Sequence, residues 1–278
     1  MAYALRNGVL VPKRKLELPE RLRDRRKLPD ARFPHVWIPR VIPVRAAVAV
    51  DATSTAFVTT TNSSYTGTAN LTIGASLSNG ALTIYICWPS LVTATAVHWD
   101  SAGTNQLMTS IGAATNSTGA VRAELFGLIA PTSGNKNINV TWTGGSDEIQ
   151  IYAVSWTGVN QTGGATSFAH LTTANNQSLG SAGVVTLSVT SATGNAVIAG
   201  YVNDFTWATP TPCNQTQLYA NNGGTLAGCA NRAVGAASVS MTATNGASAD
   251  NGCGVGCDIV AAGGGGDTLQ GGQRVLLM

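Results

Sequence analysis

From about Ala46 onward the chain is written in short runs whose apolar residues fall on alternate positions. Leu71/Ile73, Leu82/Ile84/Ile86, Ile138/Val140/Trp142 and Val185/Leu187/Val189 are the clearest, with polar residues such as Thr72, Asn139 and Ser188 between them. A period of two sends successive side chains to opposite faces of an extended backbone, so each run predicts a strand with one buried face and one wet face. The breaks carry turn formers: Ser78-Asn79-Gly80, Thr132-Ser133-Gly134, Gly144-Gly145-Ser146 and Thr193-Gly194-Asn195. Short strands in this number, without an amphipathic helix, predict an all-β fold: an antiparallel, jelly-roll-like β-sandwich over residues 46–262. Its expected core is Leu71, Ile84, Ile86, Ile138, Val140, Trp142, Leu187 and Val189. No fixed-period repeat is visible, which argues against a propeller or a solenoid.

The first 45 residues are written differently. They hold 6 of the 10 prolines and 12 of the 16 Lys and Arg against 4 acids, a net charge of about +8. The other residues carry 4 basic and 9 acidic side chains, about −5. Proline at that density removes backbone donors and fixes φ, so residues 1–45 are expected to form an extended basic arm with at most one short helix, over 19–28. The arm also carries more apolar surface than a solvated tail needs. Arg21, Arg23, Arg25, Arg26 and Lys27, together with Phe33, Trp37 and Ile38, are therefore read as an assembly element that lies across a partner. An acidic protein surface is the favoured partner. Nucleic acid is the second reading, because the basic cluster is interleaved with Glu20 and Asp24. Residues 263–278 form a Gly-rich tail with the apolar end Val275-Leu276-Leu277-Met278. No run reaches 18 apolar residues, so no membrane partner is expected.

Composition narrows the chemistry. Charged residues make up 10% of the chain, against roughly 25% in ordinary globular proteins, so an acid–base active site is not the default expectation. His35, His98 and His170 lie in separate segments, and no nucleophile elbow, Walker loop or dinucleotide fingerprint occurs. Asp147-Glu148 is the one adjacent carboxylate pair within a turn, and neighbours on a strand point to opposite faces. The stretch 262–272 approaches a calcium nonapeptide, but a single copy has no adjoining turn to complete the coordination. No catalytic residue, cofactor or metal is expected. Cys87 ends an apolar run and reads as a small core residue. Cys213, Cys229, Cys253 and Cys257 fall in Gly- and Asn-rich sequence, where two local disulfides, 213–229 and 253–257, are the nearest-neighbour pairing. A four-cysteine zinc site is the sharper alternative but wants a second short pair.

The stretch Val121-Arg-Ala-Glu-Leu-Phe-Gly-Leu-Ile-Ala-Pro131, then Gly134, then Ile138-Asn-Val-Thr-Trp142, then Ile149-Gln-Ile-Tyr-Ala-Val-Ser-Trp-Thr-Gly-Val159 resembles the central strands of a jelly-roll-like β-sandwich family. That family occurs in phage virion proteins, in capsid decoration and tails, and in large bacterial surface proteins. The motif is one of packing, so the resemblance implies a fold and no catalytic residue. With the basic arm it implies a non-enzymatic virion structural protein, a capsid decoration or auxiliary protein, whose partners are capsid or other virion proteins and further copies of itself. The alternative is a secreted carbohydrate-binding module, with Trp88, Trp99, Trp156 or Trp207 stacking on sugar rings.

Overall fold

The computed structural model describes residues 3–6, 9–12, 47–54, 58–59, 64–89, 91–116, 118, 121–143, 148–179, 182–204, 206–208, 212–223, 226–246 and 250–263. The chain divides into two compact units, Met1–Pro43 and Val44–Met278. In the first unit, β1 (Tyr3–Arg6) and β2 (Val9–Pro12) pair antiparallel, Arg6 opposite Val9. The reading of residues 1–45 from sequence named no hairpin there. The dipeptide between the strands is Asn7-Gly8, the strongest short hairpin signal a sequence carries.

The second unit is all antiparallel β. Its first half contains β3 (Ala49–Thr53), β4 (Val58–Thr59), β5 (Ser64–Ile73), β6 (Ala81–Trp88), β7 (Thr93–Trp99), β8 (Gln106–Leu107), β9 (Thr109–Asn116), β10 (Val121–Ile129), β11 (Gly134–Thr143) and β12 (Glu148–Thr157). One sheet runs β3-β12-β6-β10-β9, with β4 also on β12, and the facing sheet runs β5-β11-β7-β8. β3 and β12, which open and close this half, are neighbours in one sheet, and β5 and β11 are neighbours in the other. That is the jelly-roll arrangement. A 3-10 turn, Gly164–Ser167, leads into β13 (Phe168–Leu179), β14 (Val184–Thr190), β15 (Ala196–Asn203), β16 (Thr216–Gly223), β17 (Leu226–Val234), β18 (Ser238–Thr244) and β19 (Asp250–Ile259). Here one sheet runs β13-β19-β15-β17-β16 and the other is β14-β18.

The two halves repeat one plan in the same chain order. β3-β12-β6-β10-β9 corresponds strand for strand to β13-β19-β15-β17-β16, and β5-β11 to β14-β18. At the place of β7, the described residues of the second half have the isolated bridges Trp207↔Asn245 and Cys213↔Ala243 beside β18. The body is therefore two stacked sandwiches, where the alternation had predicted one. Three cores separate four sheets. Leu82, Ile84, Ile86, Val97, Ile138 and Val140 fill the first sandwich. Val185, Leu187, Val189, Val197, Met241 and Ala243 fill the second. Tyr85, Leu125, Tyr152, Val154, Ile198 and Val255 join the two middle sheets.

Stacking explains where the alternation rule departs from the structure. Every residue of Ala81–Trp88 is buried, and so is every residue of β15. Thr83, Tyr85 and Cys87, which a half-buried strand would turn to water, face the second sandwich instead. The outer strands keep the clean pattern, β14 alternating exposed and buried at each step. All eight expected core residues are at most 4% exposed. At the joint, Tyr85 lies against Gly200, where an added Cβ would stand 2.4 Å from its ring carbons.

Candidate functional site

Arg21, Arg23, Arg25, Arg26, Lys27, Phe33, Trp37 and Ile38 all lie outside the described residues, as do His35, Asp147 and the tail from residue 264. The four tryptophans considered as sugar platforms are at most 1% exposed. Each indole N–H donates internally: Trp88 to Glu124 Oε2 (2.9 Å), Trp99 to Thr132 O (2.9 Å), Trp156 to Thr83 Oγ1 (2.8 Å) and Trp207 to Ala227 O (2.9 Å). They are core residues with their polar edge satisfied, and no ring face is open to stack on a ligand.

All five cysteines are free thiols, and the structure places the two nearest-neighbour pairs differently. Cys253 and Cys257 lie four apart on β19 with both side chains in the central core. At about 3.3 Å per residue their Cα atoms are about 13 Å apart, well beyond the reach of an S–S bond. Cys213 and Cys229 do meet, Cys213 packing on the second core beside Cys229.

Polar chemistry concentrates at three places. In the first sandwich, Glu124 is 3% exposed and accepts from Trp88 Nε1, from the Ala94 amide (3.0 Å) and from Arg122 Nε (2.9 Å). These donors come from β6, β7 and β10, so the carboxylate ties three strands together.

The second place is a node around Asp258 on β19. Ser191 Oγ donates to Oδ1 (2.5 Å), Asn195 Nδ2 donates to Oδ2 (2.8 Å), and His170 Nδ1 stands 3.6 Å from Oδ2. Burial pushes the Asp258 carboxyl above its ordinary value of 3.8, while the Ser191 and Asn195 hydrogen bonds and the neighbouring His170 pull it down. His170 is 53% exposed at the side chain and has φ +51°, where the register between β13 and β19 slips. The hydroxyl and the imidazole both address the carboxylate, so the order differs from a serine–histidine–aspartate relay, in which histidine stands between the other two. The node fastens β13, β19 and the β14–β15 turn.

The third place is an open groove of about 470 Å³ on the second sandwich, lined by Asn214, Gln215, Thr216, Arg232, Ser238 and Ser240. Asn214 Nδ2 and Gln215 Nε2 donate to Ser240 O (3.0 and 3.2 Å), which holds the rim against β18. A guanidinium beside hydroxyls and carboxamides can hold a carboxylate- or hydroxyl-bearing ligand.

Neither the Asp258 node nor the groove was reached by reasoning from sequence. For Asp258 a signal existed, because an acid set in the otherwise apolar and Gly-rich run 252–262 must find partners when buried. The groove offered none, since its residues come from two stretches, 214–216 and 232–240, that only the fold brings together. Among the described residues, no group of three or more His, Cys, Asp or Glu could hold a metal ion, and no helix is long and apolar enough to cross a membrane. Comparison with protein-family models, curated proteins and solved structures found no match, so the kinship on view is that of architecture: an all-β antiparallel sandwich, built twice.

Proposed function

We propose that the chain is a non-enzymatic structural protein of a phage virion, a capsid decoration or auxiliary protein attached through residues 1–45. The observation that carries the reading is the split between its parts. A segment with 12 Lys and Arg precedes a doubled sandwich whose outer strands present uncharged rows, such as Thr186, Ser188 and Thr190 on β14. A body of this kind offers neighbours hydroxyl-rich sheet faces with little charge repulsion, while the basic, apolar-bearing arm supplies attraction to an acidic surface. The resemblance of residues 121–159 to virion sandwiches points the same way.

The test is incorporation. Deleting residues 1–45 is expected to leave a folded body that no longer enters particles. Replacing Arg23, Arg25 and Arg26 with Ala should lower incorporation and flatten its dependence on salt, because the charge that salt screens is gone. Full incorporation of the truncated body would end the arm-attachment reading.

One observation favours glycan binding as a second reading, the polar groove at Arg232, with the buried tryptophans taking no part. Retention of the isolated body on an array of acidic glycans, lost on Arg232→Ala, would favour it over the virion reading.

A further inference from the structure

The second sandwich brings two thiols together that the chain keeps 16 positions apart. Cys213 is half-buried in the segment between β15 and β16, pairs across to Ala243, and packs on the core that contains Cys229. Cys229 is fully buried on β17 between Tyr201 on β15 and Ala220 on β16. The two side chains are hydrogen-bonding neighbours. Cys87, Cys253 and Cys257 are fully buried in the central core. Among the five cysteines, only this pair joins a partly exposed residue to a buried thiol beside it.

We propose that Cys213 and Cys229 form a reversible intramolecular disulfide, a redox clasp that fastens the 212–216 segment onto β17. The oxidant is a small disulfide such as oxidised glutathione. Cys213, the accessible thiol, gives its proton to water and attacks one glutathione sulfur; the S–S bond breaks and a glutathione thiolate leaves and takes up a proton. Cys229 then loses its proton and attacks Cys213 Sγ, and the second glutathione leaves. Two protein thiols are oxidised, one glutathione disulfide is reduced to two thiols, and both protons end on the released glutathiones. The order follows from burial. Burial, and then contact with Cys213, pushes the Cys229 thiol well up, so it acts only when a mixed disulfide is placed against it. Burial likewise pushes Cys253 up to about 12, and Cys87 and Cys257 higher still, which leaves them inert. The clasp has a functional address, because Asn214, Gln215 and Thr216 form one wall of the Arg232 groove.

The full-length protein, incubated with oxidised glutathione and then alkylated, should lose two of its five free thiols. Unreduced peptide mapping should then find one crosslink, between the peptides of Cys213 and Cys229. The oxidised form should melt about 5 °C or more above the reduced form, since a loop of this length is closed. Cys213→Ser, at a half-exposed site, should fold normally, keep all its remaining thiols and show no redox-dependent shift. Five thiols surviving in the wild-type protein, a crosslink involving another cysteine, a disulfide-linked dimer, or a crosslinked form that melts no higher would each overturn the clasp.

Discussion

The two sandwiches share one strand order and fill it with opposite materials. The first packs bulk: Trp88 meets Trp142 edge-on at 5.4 Å, with Phe126, Ile84 and Trp99 around them. The second packs from emptiness. β19 places Gly252, Gly254 and Gly256 on its inner face, and larger neighbours lean over them, Tyr201 over Gly254 and Leu187 toward Gly256. Either solution reaches a closed core, because packing asks for filled volume and not for a particular residue. Polar anchoring is exchanged in the same way. Ser155 and Asp258 each stand opposite the second residue of their central strand, Leu82 and Val197. In the first sandwich the strand residue is the hydroxyl and the bulge supplies the acid, Ser155 Oγ donating to Asp51 Oδ2 at 2.8 Å. In the second, the strand supplies Asp258 and the bulge supplies His170.

The largest expected effect tests whether the halves are one folding unit. Gly200→Leu puts a Cβ where the Tyr85 ring carbons lie 2.4 Å away, so overpacking falls on the joint itself. We expect destabilisation of about 3 kcal/mol or more and one cooperative transition at lower temperature, partly restored by adding Tyr85→Ala. Two separate thermal transitions in calorimetry would instead show sandwiches that fold alone.

What the sequence made legible follows from the layers. β5, β11 and β14 have water on one side, so polar and apolar residues alternate and the strands could be read directly. β6, β12, β15 and β19 are covered on both sides, and their alternation dissolves: Gln150 and Ser155 are buried because they have partners, not because they are apolar. The doubling itself was hidden because equivalent positions hold unlike residues, Tyr85 against Gly200 being the extreme case, while strand order is visible only once strands are paired. The two expected cysteine pairs part for a related reason. Cys253 and Cys257 are near in sequence, yet a strand carries them apart, whereas Cys213 and Cys229 are farther along the chain and touch.

Acidity sharpens the comparison at an intermediate scale. Asp100, between β7 and β8, accepts the Thr104 amide at 3.1 Å, as well as the Thr104 and Thr132 hydroxyls, beside Lys136. The Thr104 backbone hydrogen bond leads in holding its carboxyl below 3.8, although burial opposes it. Asp258 is displaced the other way by burial. A depressed acid contributes stability that is present above its unfolded value and lost as pH falls through the folded one. A raised acid contributes stability that is full below the unfolded value and lost as pH rises through the folded one. The stability difference between wild type and Asp100→Asn should therefore shrink as pH falls below about 4, and that between wild type and Asp258→Asn should shrink as pH rises above about 4. Denaturant titrations across that range measure both, and slopes of the same sign would refute the opposed environments.

The smallest effect concerns the outer faces, where the two sandwiches should behave alike. On the first, Thr95 Oγ1 shares a hydrogen bond with Thr141 Oγ1 at 3.0 Å; on the second, Ser188 Oγ pairs with Ser238 Oγ at 3.2 Å. Thr95 and Ser188 are both exposed, so water replaces a lost partner and no buried donor is stranded. Thr95→Ala and Ser188→Ala should each cost no more than about 0.5 kcal/mol in urea unfolding. A cost above about 1.5 kcal/mol at one site and not the other would mean that water does not reach that face in the folded protein. The covered face would then be the first place to look for the surface through which the body meets a neighbour.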